Sequence, residues 1–331
     1  MNPPRVAILG KSRSLLTWFD DTLDGFREHG CEVAAISFQA ANPAERLSQK
    51  RGDGKELHNP EVVSRSTAEL AAFSPDLVLV LNKAGLPAPA AAAWRAALRP
   101  GVPIAGWLCD CINRVPVEQV PAFDGVYYFD SHCVAVLEQF LGPSGWLKYL
   151  PLAVNPERYP FKSAEDHQRA MVFAGKCSPH RHRIFREMRA AGIPLDLYGP
   201  GARNWLRPWR NLRLTSATLA ELYRSHTAVL NLPQPGNTER GLNLRAFEIP
   251  AAGGIGTYPD VPDLPRCFEP SSEILVYQDP ADLAEQFGGL QREPERAVAM
   301  IEAGHARVLR DHTFAKRAET VLHDWLPGFL G

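Results

Sequence analysis

The block Gly241-Leu242-Asn243-Leu244-Arg245-Ala246-Phe247-Glu248 follows an apolar strand pattern and a loop carrying Pro233, Pro235 and Gly236. This order predicts a helix start, with the helix over Leu242 to Ala252. A helix start offers unpaired N–H groups and the positive end of the helix dipole, which together favour a phosphate group. Asn243 and Arg245 add side-chain donors in the expected first turn, and Glu248, two turns in, suits sugar hydroxyls if it faces a cleft. The same block also reads as packing, with Leu242, Leu244 and Phe247 as a buried stripe and Glu248 in solvent.

Other chemistries find less support. Leu9-Gly10-Lys11-Ser12 ends like a P-loop, but the glycine required five positions before Gly10 is Arg5, so the backbone cannot wrap a phosphate there. Only Gly10 stands in the turn after that strand, which excludes a three-glycine dinucleotide fingerprint. Gly199-Pro200-Gly201 carries a proline and lacks a third glycine, so it reads as a turn. Cys177, His180 and His182 lie close together and Cys109 is two residues from Cys111, yet no second pair stands at zinc spacing. No metal site is expected. No Gly-x-Ser-x-Gly elbow occurs either.

The charge balance is −1 over 331 residues. From His167 to Arg245, 13 lysines and arginines stand against four acids, so that stretch is +9 and the remainder is −10. A neutral total argues against a nucleic-acid coat, whereas a local basic segment suits one anionic ligand. Trp205 and Trp209 among Arg203, Arg207 and Arg210 have the composition of a stacking surface, but read more simply as packed indoles. Arg183, Arg186 and Arg189 recur at i+3 spacing and cannot all face one ligand. Hydrophobic residues at 45% supply enough material for two cores. Apolar runs are strand length, too short to span a membrane. Six irregularly spaced cysteines and the lack of a basic and apolar leader before Arg5 point to reduced thiols in a cytoplasm.

Periodicity alternates strand and helix from end to end. Strands are expected at Val6 to Leu9, Glu32 to Ser37, Leu77 to Leu81, Ile104 to Leu108 and Val126 to Phe129, with helices at Leu15 to His29 and Pro89 to Leu98. Asn42 to Pro60 reads as a loop. After Tyr149-Leu150-Pro151-Leu152-Ala153-Val154-Asn155-Pro156, an extended connector, the pattern restarts. Strands at Met171 to Ala174, Leu195 to Tyr198, Ala228 to Leu232, Ile255 to Tyr258 and Ile274 to Tyr277 alternate with helices, the last from Phe314 to Trp325. Continuous apolar strands suit parallel sheets buried on both faces. The expected fold is α/β, with two doubly wound Rossmann-like domains and the ligand between them at the carboxyl ends of the strands.

The helix-start block and the Gly253-Gly254 after it resemble bacterial glycosyltransferases of GT-B architecture, in particular the spore-maturation-protein-like branch. The connector just named, Phe173-Ala174-Gly175-Lys176, Leu197-Tyr198-Gly199, Phe268-Glu269-Pro270 and Ala303-Gly304-His305-Ala306-Arg307 to His312-Thr313-Phe314 carry the same likeness. The resemblance implies an acceptor domain at 1–153, a nucleotide-sugar domain at 154–312, and a helix at 313–331 returning to the first.

By that resemblance the reaction transfers a sugar from a nucleotide-diphosphate sugar, itself a substrate and not a cofactor, to a glycan, lipid, protein or small molecule. Glu248 would hold the ribose hydroxyls. Asn243, Leu244 and Arg245 would meet the diphosphate, with Lys176, Arg181 and Arg183 as further contacts beside Tyr198 and Gly199. A helix terminus and fixed cations would stabilise the leaving diphosphate without a metal. Many retaining relatives carry a glutamate on both sides of seven residues; here the first position is Arg240 and Glu239 is one residue early. Cys109-Asp110 stands where many relatives show His-Asp. Asp110 is the candidate base or sugar contact, Asp130 a second, and Lys11, Ser12 and Arg13 follow the first strand toward the cleft. A non-catalytic sugar-nucleotide or glycan-binding protein and a nucleotide-sugar epimerase are the alternatives.

Overall fold

A computed structural model describes residues 2–11, 17–40, 45, 56–81, 86–109, 117–142, 145–162, 168–202, 214–234 and 236–329. The chain divides into two compact units. The first comprises Met1–Pro151, Gly236–Glu239 and Phe314–Gly331, and the second Leu152–Pro235 and Arg240–Thr313.

In the first unit, strands β1 (Arg5–Gly10), β2 (Glu32–Ser37), β3 (Leu77–Leu81), β4 (Ile104–Leu108), β5 (Gly125–Tyr128) and β6 (Trp146–Tyr149) form one parallel sheet in the order β2-β1-β3-β4-β5-β6. Every residue of β3 and β4 is buried. Helices on both faces explain why these strands are unbroken apolar runs. The helices are α1 (Trp18–Glu28), α2 (Pro60–Phe73), α3 (Ala88–Ala97), α4 (Val134–Leu141) and α10 (Phe314–Trp325). Pro60 therefore opens a helix instead of closing a loop. Asn59 caps it by accepting the Glu61 N–H at 3.0 Å, and proline costs nothing at N1.

The last helix is bound into this unit by close packing. A Cβ at Gly25 would lie 2.6 Å from the Phe314 carbonyl, so α1 and α10 touch backbone to backbone. Trp107 meets Trp18 and Phe314 edge-on at 6.4 and 6.3 Å. Farther along, the Asp324 carboxylate accepts from the Tyr127 hydroxyl at 2.8 Å and Lys148 Nζ at 2.7 Å.

The second unit holds strands β7 (Gln168–Ala174), β8 (Leu195–Tyr198), β9 (His226–Leu230), β10 (Gly256–Pro259) and β11 (Leu275–Tyr277), parallel in the order β11-β10-β9-β7-β8. Its helices are α5 (Pro179–Ala190), α6 (Ser216–Arg224), α7 (Arg245–Ala252), α8 (Pro280–Arg292) and α9 (Pro294–Asp311). Read from the far edge, the order is second-first-third-fourth-fifth, and the first unit follows the same rule. In such sheets the connections diverge between the first and third strands, leaving a crevice beyond their carboxyl ends. Here that point lies between β7 and β9. Among the described residues no helix is long and apolar enough to cross a membrane.

Candidate functional site

Three loops converge at the carboxyl ends of β7, β8 and β9. The Gly175 N–H donates to the Tyr198 carbonyl and the Cys177 N–H to the Pro200 carbonyl, both at 2.8 Å. At Gly199, φ is +111° and a Cβ would lie 2.4 Å from the Gly175 oxygen. Only glycine permits that approach. The half-buried Tyr198 ring stands edge-on to His226. Thus Tyr198 and Gly199 form the wall against which the β7 loop is pressed.

Arg181 joins the β7 loop to the β9 loop. It lies in the first turn of α5, where Pro179 and the capping Ser178 start the helix. It is buried, and its guanidinium donates to the Lys176 carbonyl at 2.9 Å and the Leu232 carbonyl at 2.6 Å while covering the Phe173 ring. Both acceptors are neutral. Burial, and then the nearby Arg245 charge, lower its pKa to about 10.

Arg245 approaches the same place from α7. A Cβ at Gly175 would sit 3.2 Å from both of its Nη atoms, so the guanidinium lies over bare backbone. Among the described residues no acceptor meets its buried Nε. Burial disfavours the Arg245 charge, but Tyr223 and Glu248 more than offset this and hold its pKa above the ordinary value. Two guanidiniums thus meet at one switch point, an arrangement that attracts an anion.

The helix start supplies further donors. α7 begins at Arg245, three residues later than the sequence suggests, so Glu248 lies in its first turn. Leu242 is buried ahead of the helix, Phe247 is buried within it, and Leu244 is half-buried. Asn243 acts as a brace. Its Oδ1 accepts the Ala246 N–H at 3.3 Å, and its amide exchanges two 3.0 Å hydrogen bonds with that of Asn231 at the end of β9. Among the described residues no acceptor meets the N–H of Leu244 or Arg245. Those two groups are therefore open to a ligand. Glu248 is half-buried and hydrogen-bonded to Tyr159.

The remaining expected residues are scattered by comparison. Lys176 and Arg183 are exposed, as are Arg186 and Arg189 along α5. Lys11 is half-buried after β1. Asp130 is fully buried. Its carboxylate accepts the His132 N–H at 2.9 Å and the Glu239 N–H at 2.7 Å, a placement that braces two turns. Ser12, Arg13 and Asp110 lie outside the described residues, as do Trp205, Trp209 and the arginines between 203 and 213. Among the described residues no three His, Cys, Asp or Glu side chains gather as a metal site requires. Asn231, Tyr159 and Tyr223 escaped the sequence reading; the one signal was a polar Asn231 in an otherwise apolar strand.

Residues 180–323 match the family model described as glycosyl transferase-like. Among curated proteins no relative matches the sequence. Among solved structures, this chain superposes on sucrose-phosphate synthase from Thermosynechococcus elongatus with a TM-score of 0.67 at 14% identity, covering 99% of both chains. HepE from Anabaena in complex with UDP gives 0.67 at 12%, covering 98% of this chain and 100% of that one. The α,α-trehalose 6-phosphate synthase from Burkholderia multivorans gives 0.62 at 14%, covering 98% and 97%. These likenesses establish the GT-B fold for this chain.

Proposed function

We propose that this chain is a metal-independent glycosyltransferase whose second unit binds a nucleotide-diphosphate sugar. The observation that carries this reading is the meeting of Arg181, Arg245 and the open N–H groups of Leu244 and Arg245 at the β7/β9 switch point. Departure of a sugar builds negative charge on the diphosphate, and fixed donors already aimed at that position stabilise it without reorganising. Exposed Lys176 and Arg183 are further cations for the diphosphate, and Glu248 takes the ribose hydroxyls. UDP is the first nucleotide to test, because HepE is a UDP and UDP-glucose complex of the same fold.

The acceptor belongs to the first unit, where Lys11, Ser12 and Arg13 follow β1 and Asp110 follows β4. Asp110 serves as general base if the reaction inverts the anomeric centre. The motifs from the connector to Phe314 support a place in the spore-maturation-protein-like branch. Calorimetry against UDP, GDP and TDP sugars and CMP sugars tests the donor assignment. Binding of one nucleotide, abolished by Glu248→Ala with the fold intact, is the expected result. No binding to folded protein would overturn the assignment. Binding without transfer or slow donor hydrolysis would favour a sugar-nucleotide-binding protein.

A further inference from the structure

Each charged head that α7 offers is backed by a tyrosine. Tyr159 follows the 156–158 turn and Tyr223 stands in the last turn of α6; both are buried. Their rings stack with centroids 6.5 Å apart and 12° between planes. The Tyr159 hydroxyl accepts from Ser216 and donates to Glu248. The Tyr223 hydroxyl lies against the Arg245 guanidinium without a hydrogen bond of full geometry, and its polar neighbours are Arg245 and Glu248. On the opposite side Arg245 is confined by Gly175.

The Glu248 carboxylate offsets the Arg245 charge, whereas the group set against the guanidinium is a phenol. Burial holds both phenols well above their ordinary pKa, so they stay neutral at working pH. They orient without cancelling charge. Among the described residues no acceptor meets the Arg245 Nε, so the guanidinium has donor capacity to spare.

We propose that Tyr223 and Tyr159 are positioning residues for the nucleotide-diphosphate donor. Tyr223 holds the Arg245 guanidinium flat over Gly175 for the diphosphate, and Tyr159 aims the Glu248 carboxylate at the ribose. This inference rests on the nucleotide-sugar reading of the site. It predicts a split that a merely structural role would not give, because the two hydroxyls serve different parts of one ligand.

The test is calorimetry of the full chain with UDP and with uridine, or the diphosphate and nucleoside of whichever base the wild type binds. Tyr223→Phe is expected to weaken the diphosphate about tenfold, because the guanidinium loses the hydroxyl that confines it, while leaving the nucleoside unchanged. Tyr159→Phe is expected to weaken both equally. Gly175→Ala displaces the same guanidinium from its other face, so it should repeat the Tyr223→Phe pattern and serves if that variant does not fold. Unchanged diphosphate affinity in Tyr223→Phe and Gly175→Ala, or equal losses for nucleoside and diphosphate, would overturn this inference alone. A wild type that binds no nucleoside diphosphate would overturn the site reading and this inference with it.

Discussion

The side-chain amides of Asn231 and Asn243 exchange two hydrogen bonds of 3.0 Å, tying the end of β9 to the segment that starts α7. Asn231 is fully buried and its N–H donates to the Thr257 carbonyl. The pair therefore sets where the open N–H groups of the helix start lie relative to the sheet. Asn231→Ala strands the Asn243 amide, so urea unfolding should show a loss of about 1–3 kcal/mol. Nucleotide affinity should fall too, although Asn231 stands behind the site. A variant as stable as wild type would refute the brace.

Arg181 spans two carbonyls, that of Lys176 five residues before it and that of Leu232 51 residues after it. Lysine keeps the charge but lacks the planar fork that reaches both. Arg181→Lys should cost about 2–3 kcal/mol. On a chain of this size that lowers the thermal midpoint by several degrees, on the order of 2–4 °C per kcal/mol. An unchanged midpoint would show that charge alone matters at this position.

Two glycines in the second unit separate crowding from backbone strain. At Gly199 a Cβ would meet the Gly175 oxygen at 2.4 Å, whereas at Gly192, with φ +89°, nothing lies within 4 Å. Gly192→Ala should cost only the left-handed backbone penalty, about 1–2 kcal/mol. Gly199→Ala should cost clearly more, because the β7 and β8 loops must part. Equal urea midpoints for the two variants would contradict the close approach.

Asp76 predicts an acid-dependent contribution to stability. Burial alone would raise its pKa, but the Arg5 N–H at 2.9 Å and the Arg99 guanidinium at 2.6 Å hold it below the ordinary value. A carboxyl lowered in the folded state adds stability above its unfolded pKa of about 4, and loses it as pH falls through the folded value. The side chain is 35% exposed, so solvent screening limits the gain to below about 1 kcal/mol. Asp76→Asn should therefore trail wild type at neutral pH and converge with it at about pH 2. A gap that stays constant with pH would exclude the linkage.

Strands buried on both faces were legible to the residue. β3 and β4 run over Leu77–Leu81 and Ile104–Leu108 as the apolar runs suggest, since a covered parallel strand has no polar face to interrupt the pattern. Short or weakly patterned elements were not. α2 is rich in serine and alanine with only three buried positions, and α4 spans only eight residues. The start of α7 was misplaced because Leu242 is buried before the helix, continuing an apolar spacing that no longer reports helical turns.

The sequence by itself determined the alternation of buried elements, the fold class and the basic stretch from which the site is drawn. These follow from local composition and period. The tertiary structure decided which of the cations meet, that Asn243 braces the helix start, and that two tyrosines back Arg245 and Glu248. Those relationships depend on β9 lying beside β7. Strand order brings polar groups from distant parts of the chain into one crevice, and no local pattern encodes which of them will meet there.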